Sequence, residues 1–566
     1  MHLALLALAL QLETGALVAG PQQPHVVATA DSVRDLKQAR SAQASFERSR
    51  RSNLPIGYSS STRCEVRVGR FCWWYDDSMP TQPPEAEVIG RQRAELLVTL
   101  DRAAALHPGD DWLAGMRVHY RIDARTFASA DSTARECRAA AWLCSALVGY
   151  VAHTTGESSR ADSAFRDAVV TMAGDQACAW RDIRELLRDE DRDAYERLSC
   201  DARRDLEARY WLLSRPQLGG VANDWKNEFN MRRVLSWLAE RAATPQGLRW
   251  GNDAAALIMR FGWPTAWSRA DQPPGLVTEP NIIGHDPVPS FAFAPAQSVA
   301  DPRRALPPEA WDLANRAAEA RYAPRLVKRV AGVSAQLARF RRGDSTLLVA
   351  AFSASDDSLR APIAVVGAAA ADGLSVLSVP DTGKTGRARV LLAGLPVLAG
   401  VEITDTTTRT LARVRFGYAP SPDGARLELS DLLMYRAGEQ PATSLDSALA
   451  RAIPGDSASR SKPIGVFWET YGLVAEGETV DLTVAVERID RNWFRSARQR
   501  LGISPEDTPL RMRWTDARPP ADRAAPHAVS LDLGNLETGR YRITLTLTPV
   551  SGDTAISSCE IELNDH

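Results

Sequence analysis

Apolar positions in this chain follow one period up to about residue 330 and another beyond it. From Glu85 to about Cys200 they recur at the three- and four-residue spacing of helices that face a core, with small residues where helices must approach closely. From Val333 onward they alternate. Leu337 to Phe340 and Thr346 to Phe352 flank the turn Arg341-Arg342-Gly343-Asp344-Ser345, and strands are expected at Ala388 to Ala393, Val397 to Thr404 and Leu411 to Tyr418. After the turn Pro422-Asp423-Gly424 and a mixed stretch, Val480, Leu482, Val484 and Val486 alternate, then Tyr541, Ile543, Leu545 and Leu547, then Cys559, Ile561 and Leu563. Such alternation marks strands with one buried face. The pattern predicts an α+β multidomain chain ending in two antiparallel β-sandwich modules, residues 331–435 and 464–566, joined by a linker at 436–463.

Within the helical half, residues 85–202, Gly149, Ala161, Phe165 and Ala168 fall at the spacing of a tetratricopeptide repeat, whose glycine admits a neighbouring helix and whose alanine and aromatic fill the groove. Trp112 and Ala128 suggest a degenerate repeat before it, and Leu100, Ala103 and Pro108 the second helix of an earlier one. So short an array is marginal alone; cross-links and the downstream domain are expected to close it. In the N-terminal segment, residues 21–84, Ala30 to Arg51 can form a charged helix without an obvious partner face. Arg63 to Asp77 alternates like a strand. Its Trp73, Trp74 and Tyr75 read either as a ligand platform or as a cap on the helical domain.

Between the halves, residues 203–330, an aromatic-rich helix end at Arg209-Tyr210-Trp211 leads to Pro216 and Gly219-Gly220. A helix from Asn223 through Glu228-Phe229 and Arg232-Arg233 to Ala239 follows. Then come Trp250-Gly251-Asn252-Asp253 and an apolar run closing on Arg260-Phe261-Gly262-Trp263-Pro264. Over Arg203 to Arg269 this order resembles the GWxTD-domain family of bacterial exported proteins. Trp250 and Asp253 keep the name-giving spacing, while Arg249 stands where glycine is expected and Asn252 replaces threonine, so the resemblance is to a divergent member. It implies a central α/β domain of unknown function, often beside tetratricopeptide repeats, and carries over no catalytic residue. On chemistry alone, Asp253 can cap a helix or fix a turn, and Gly262 and Pro264 set a tight turn. Trp250, Trp263 and Trp267 then form either an aromatic pocket with Arg260 as polar handle, or a tryptophan-rich core with Arg260 in an ion pair. Asp271 to Ala300 is proline-rich and reads as an extended wrap. Gly284-His285-Asp286-Pro287 within it reads as a surface turn, and Pro308 to Tyr322 as a short helix.

Composition changes this picture in three ways. A formal charge of −2, from 68 basic and 70 acidic side chains, offers no field for a phosphate backbone, so nucleic acid is not an expected partner. Residues 1–20, opening MHLALLALAL, read as a signal peptide whose apolar core is too short to span a bilayer, although no Lys or Arg precedes it and Glu13 follows closely. Six of the seven cysteines, Cys64, Cys72, Cys137, Cys144, Cys178 and Cys200, lie in the first 200 residues, which fits export. Six cysteines allow about 15 pairings. Short loops favour Cys64 with Cys72 and Cys178 with Cys200. Cys137 with Cys144 requires a helix to begin between them, since seven helical residues span ~10 Å and a disulfide allows ~7 Å. Cys559 then faces the core unpaired.

Motifs for chemistry are weak. Gly383-Lys384-Thr385 lacks the upstream glycine of a phosphate loop and precedes a strand. Arg342-Gly343-Asp344-Ser345 spells an adhesion tetrapeptide that turn chemistry alone produces. Ser459 and Lys462 are followed by Pro463, which disrupts the helical placement that a serine-lysine pair needs. Trp468-Glu469-Thr470-Tyr471-Gly472 is the best remaining polar-aromatic candidate, with an edge-strand contact as its plainer reading. No catalytic, metal or cofactor residue is assigned. The expectation is an exported, non-enzymatic protein- or peptide-binding or scaffold protein of the bacterial cell envelope, periplasmic or extracellular, with no transmembrane span in the mature chain. The alternatives are a cell-envelope hydrolase acting on glycans or peptides and a carbohydrate-binding accessory protein.

Overall fold

The computed structural model describes residues 30–57, 64, 66–73, 84–187, 189–270, 281–285, 324, 327–370, 374–379, 383–418, 427–472, 479–489, 510–517, 524–549 and 554–565. The N-terminal apolar run, Trp74 and Tyr75, most of the proline-rich stretch, the helix expected at Pro308 to Tyr322 and the turn at Pro422 lie outside them.

Helices α1 (Ala30–Asn53), α2 (Glu87–Leu106), α3 (Asp111–Asp123), α4 (Phe127–Arg135), α5 (Ala141–Thr155) and α6 (Ser158–Thr171) each pack on the next. Gly149 lets α5 and α6 come together: a Cβ there would stand 2.7 Å from the Phe165 ring. In α4 the expected register is displaced, because Ala128 is exposed and Ala130 and Ala134 are buried instead. Helix α1 does have a partner face. It buries Ala39 and Phe46 against the stack and brings Gln43, Glu47 and Arg50 into the interior, polar residues that hid the stripe in the sequence.

The chain continues through α7 (Gly174–Arg181), α8 (Asp189–Glu196), α9 (Cys200–Leu213), α10 (Asp224–Glu240) and α11 (Asn252–Phe261). Asn223 caps α10, its side chain accepting from Lys226 N at 3.2 Å. Helix α10 then lies against α3, α5 and α6 and closes the stack. Three disulfides join Cys64 to Cys72, Cys137 to Cys144 and Cys178 to Cys200, cross-links that belong to an oxidising environment. Cys137 and Cys144 sit 5.5 Å apart at Cα because α4 has ended and α5 begins between them. Among the described residues no helix is long and apolar enough to cross a membrane.

Strand β1 (Ile56–Gly57), the hairpin β2 (Val66–Val68) and β3 (Phe71–Trp73), β4 (Ala266–Ala270) and β5 (Ile282–His285) accompany the helices, with β4 between β1 and β5 in a small sheet. His285 lies in β5 rather than in a turn, and Ser268 Oγ meets its Nε2 at 2.7 Å.

The first sandwich comprises β6 (Arg329–Ala331), β7 (Ser334–Arg342), β8 (Ser345–Ser353), β9 (Ile363–Ala370), β10 (Leu374–Val379), β11 (Thr385–Ala393), β12 (Pro396–Asp405) and β13 (Thr410–Gly417). Its sheets run β10-β9-β12-β13-β6 and β11-β8-β7, enclosing Leu348, Phe352, Val366, Val390, Val401 and Ile403. The second comprises β14 (Leu427–Leu429), β15 (Leu433–Arg436), helix α12 (Leu445–Ala450), β16 (Ser457–Ser459), β17 (Ile464–Gly472), β18 (Thr479–Arg488), β19 (Leu510–Ala517), β20 (Ala525–Leu531), β21 (Gly539–Pro549) and β22 (Ala555–Asn564). In one sheet β17 has β14 and β15 on one side and β20 on the other; the facing sheet runs β16-β22-β21-β18-β19.

Residues 436–463, read above as a linker, contain α12 and β16 with Leu445, Ala448 and Leu449 buried. Residues 427–436 likewise pair with β17 and belong to the second sandwich. The reason is that β15 and β17 are covered on both faces: Met434, Val466 and Trp468 face the second sandwich core, while Leu433, Tyr435 and Phe467 pack on Ala338, Phe340, Val349 and Ala351 of the first. Strands buried on both sides do not alternate. Cys559 is partly buried against the second core, and burial pushes its thiol up to about 12.

Candidate functional site

The tryptophan-rich stretch forms a junction core. Trp267 is buried, Trp263 meets it edge-on at 5.6 Å and meets His119 at 5.9 Å, and Trp250 is partly buried against the same helical core. Pro264 packs over Gly284, where a Cβ would stand 2.3 Å from Pro264 and 3.1 Å from Trp267. Arg260 donates from Nε to the Glu185 carbonyl at 3.0 Å and lies 3.5 Å from its carboxylate. Asp253 accepts from its neighbour Ala254 N at 2.9 Å, as a turn residue would, but its main partner is Arg70 in the disulfide-closed hairpin. The five candidate residues are therefore engaged in holding α11 between its neighbours.

A buried network beneath them was not singled out from the sequence. In α10, Arg232 is fully buried over the Trp225 ring, pairs with Glu228 at 2.8 Å, and donates to the carbonyls of Met259 and Arg260 at 2.9 Å each. It thereby satisfies the end of α11, where carbonyls lack intrahelical partners. Glu228 also meets His153 Nε2 at 2.8 Å. Gly262, the C-cap of α11 at φ +84°, leaves room for Arg232, whose guanidinium would lie 3.2 Å from a Cβ there. The i, i+4 spacing of Glu228 and Arg232 was the available signal.

A second interior cluster joins α1, α2 and α3. Tyr120 donates to Glu47 at 2.7 Å, and Arg50 and Arg93 share Asp123 at 3.1 and 2.6 Å, with Glu85 beside both. Burial raises the Glu47 carboxyl to about 7 against the opposing pull of Arg50, and burial lowers His119 to about 4.

Charges also join the modules. Glu402 accepts from Leu218 N at 2.7 Å, Gly219 N at 3.2 Å and Arg415 at 3.0 Å, seating the Pro216–Gly219 loop on the first sandwich. Glu469, expected at an edge strand, lies in central β17 and is buried. It receives two N–H groups of Arg342 at 2.6 and 3.0 Å and the Tyr471 hydroxyl at 2.8 Å. The arginine of the Arg-Gly-Asp-Ser tip thus holds the two sandwiches together. Lys384 lies at a turn before β11, 3.5 Å from Asp357. Among the described residues no three His, Cys, Asp or Glu side chains converge to hold a metal ion.

A cavity of about 510 Å³ opens in the second sandwich, lined by Trp468, Met512, Arg513, Trp514, Asp516, His527, Ala528 and Val529. His527 stacks on Trp468 with ring centroids 5.6 Å apart, meets the Thr470 hydroxyl at 2.8 Å through Nε2, and lies 3.4 Å from Asp516 through Nδ1. Although this order imitates a hydrolase triad, Thr470 is only 5% exposed and does not present a nucleophile to solvent. Burial lowers the His527 pKa while Asp516 opposes it.

No family model matches the chain, and no curated protein matches it. Among solved structures, the crystal structure of red sea bream transglutaminase aligns with 41% of this chain and 31% of its own length, at 9% identity and a TM-score of 0.15, a likeness too slight to carry an argument.

Proposed function

We propose that this chain is an exported, non-enzymatic binding or scaffold protein of a bacterial cell envelope, periplasmic or extracellular. In this reading the helical repeats of 85–202 and a divergent GWxTD-like segment from 203 present a protein- or peptide-binding surface, and the two sandwiches act as rigid extensions. The observation that carries it is the use of the polar clusters: Glu228 with Arg232, Glu402 with Arg415, Glu469 with Arg342 and Asp253 with Arg70 all serve internal joints. Solvent-facing apolar side chains on the helical stack, Val98, Leu106 and Val170, supply contact area for a partner. Photo-crosslinking residues placed at Val98 and Val170 in the native envelope should trap one reproducible protein partner. Turnover of a peptidoglycan fragment or an unstructured peptide by the purified chain, lost in a site variant, would overturn the reading.

A further inference from the structure

The cavity in the second sandwich is independent of that reading. It lies between the two strands that end their sheets on the same side: β19 pairs only with β18, and β20 only with β17, among the described residues. Its volume is within the range of about 300–1,000 Å³ found for small-molecule sites. Trp468 and Trp514 line it with ring centroids 6.3 Å apart. Trp468 is fully buried and its Nε1–H has no hydrogen-bond partner among the described residues, although a buried indole N–H ordinarily finds an acceptor.

Residues with planar polar groups also line it: Asp516 with its carboxylate, His527 with its imidazole and Arg513 with its guanidinium. His527 is held by its stack on Trp468 and its contacts with Thr470 and Asp516, so this part of the rim is fixed before any ligand arrives. Arg513 is paired to Asp481 at 2.6 Å, and Asp516 lies beside an imidazole whose burial disfavours its charged form, so no free positive charge is left to select an anion. Strand addition is disfavoured at both edges. Arg511 and Arg513 lie on β19 and Pro526 on β20, and charged and proline residues keep sheet edges from recruiting another strand.

An indole surface with planar donors and acceptors around it suits a molecule having an apolar C–H face and a rim of hydroxyls. We propose that this groove binds a short neutral saccharide, one pyranose face against Trp514 and its hydroxyls toward Asp516, His527 and Arg513.

Isothermal titration of the full chain with cellobiose, maltose and N,N′-diacetylchitobiose tests this, with an extended Thr-Val peptide as comparison. At least one disaccharide should bind saturably with one-to-one stoichiometry. Trp514→Ala and the surface variant Asp516→Asn should each weaken that binding by at least about tenfold, or about 1.4 kcal/mol, with an unchanged circular dichroism spectrum, while Leu391→Ser, at an exposed position on the first sandwich, leaves it unaltered. Absence of saturable heat with all three sugars overturns the proposal. So does binding that Asp516→Asn and Trp514→Ala leave intact, or saturable binding of the peptide alone, which assigns the groove to strand addition.

Discussion

Arg70 and Asp253, 183 residues apart, meet through two side-chain hydrogen bonds of 2.7 and 2.8 Å, with Arg70 N adding a third at 3.0 Å. The disulfide-closed hairpin is thereby fixed to the first turn of α11. Gly69, at φ +54°, permits the approach, since a Cβ there would lie 2.4 Å from that of Asp253. Hydrogen bonding from Arg70 holds the Asp253 carboxyl well below the usual carboxylate range. A carboxylate so depressed stabilises above its unfolded pKa of about 4 and loses that contribution as pH falls toward the folded value. Asp253→Asn should therefore speed amide exchange of residues 66–73 at neutral pH with little change in global unfolding, because the pair is partly solvent-exposed. Exchange no faster than in the parent chain would contradict the joint.

The Glu228–Arg232 pair makes a sharper claim because both side chains are buried. Glu228→Gln leaves the Arg232 guanidinium short of its counter-charge and should cost about 3–5 kcal/mol in denaturant unfolding. Adding Arg232→Met removes the stranded charge and should restore part of that loss, whereas two independent contacts would give an additive, larger deficit. Gly262→Ala, strained at positive φ and pressed on Arg232, should cost about 1–3 kcal/mol by the same measurement.

Glu402 is expected to control how the helical half sits on the first sandwich. Glu402→Gln weakens the acceptor for Leu218 N and Gly219 N and leaves buried Arg415 without its carboxylate. Proteolysis under native conditions should then cut within residues 214–222 well before any other described loop. Cutting first at the Arg342–Glu469 joint between the sandwiches would mean that the weaker junction lies there.

What could be read from the sequence follows from how many faces each element buries. Helix α6 declared itself through Ala161, Phe165 and Ala168, and strands β18, β21 and β22 through alternation, because each buries one face, while α5, enclosed by α3, α4, α6 and α10, was marked by Gly149 at its close approach to Phe165. Strands β15 and β17 bury two and lost the alternation, so the boundary between the sandwiches was misplaced. The tryptophan junction was legible as residues but not as a network: Arg232 reaches Met259 and Arg260 across 27 and 28 positions, and no local spacing encodes that contact. His527 and Asp516 were missed for the same reason, since their relation depends on the pairing of β20 with β17 and of β19 with β18.

The cluster joining α1 to α3 makes a prediction about pH. Burial raises Glu47 to about 7, so its contribution is fully present below its unfolded pKa near 4.5 and is lost as pH rises toward 7. Burial lowers His119 to about 4, so its contribution is present above 6.5 and is lost as pH falls toward 4. The slopes oppose each other over the same interval, each amounting to about 3 kcal/mol at most, with His119 the smaller because the residue is only half-buried. Between pH 4.5 and 6.5 these two groups should nearly cancel. Glu47→Gln exposes the histidine slope, so the stability of this variant relative to the parent chain should improve from pH 5 to pH 8. His119→Gln should do the reverse, gaining relative stability toward pH 4.5. Urea unfolding of the three chains at those pH values decides the matter, and parallel pH profiles for all three would mean that neither burial governs the titration.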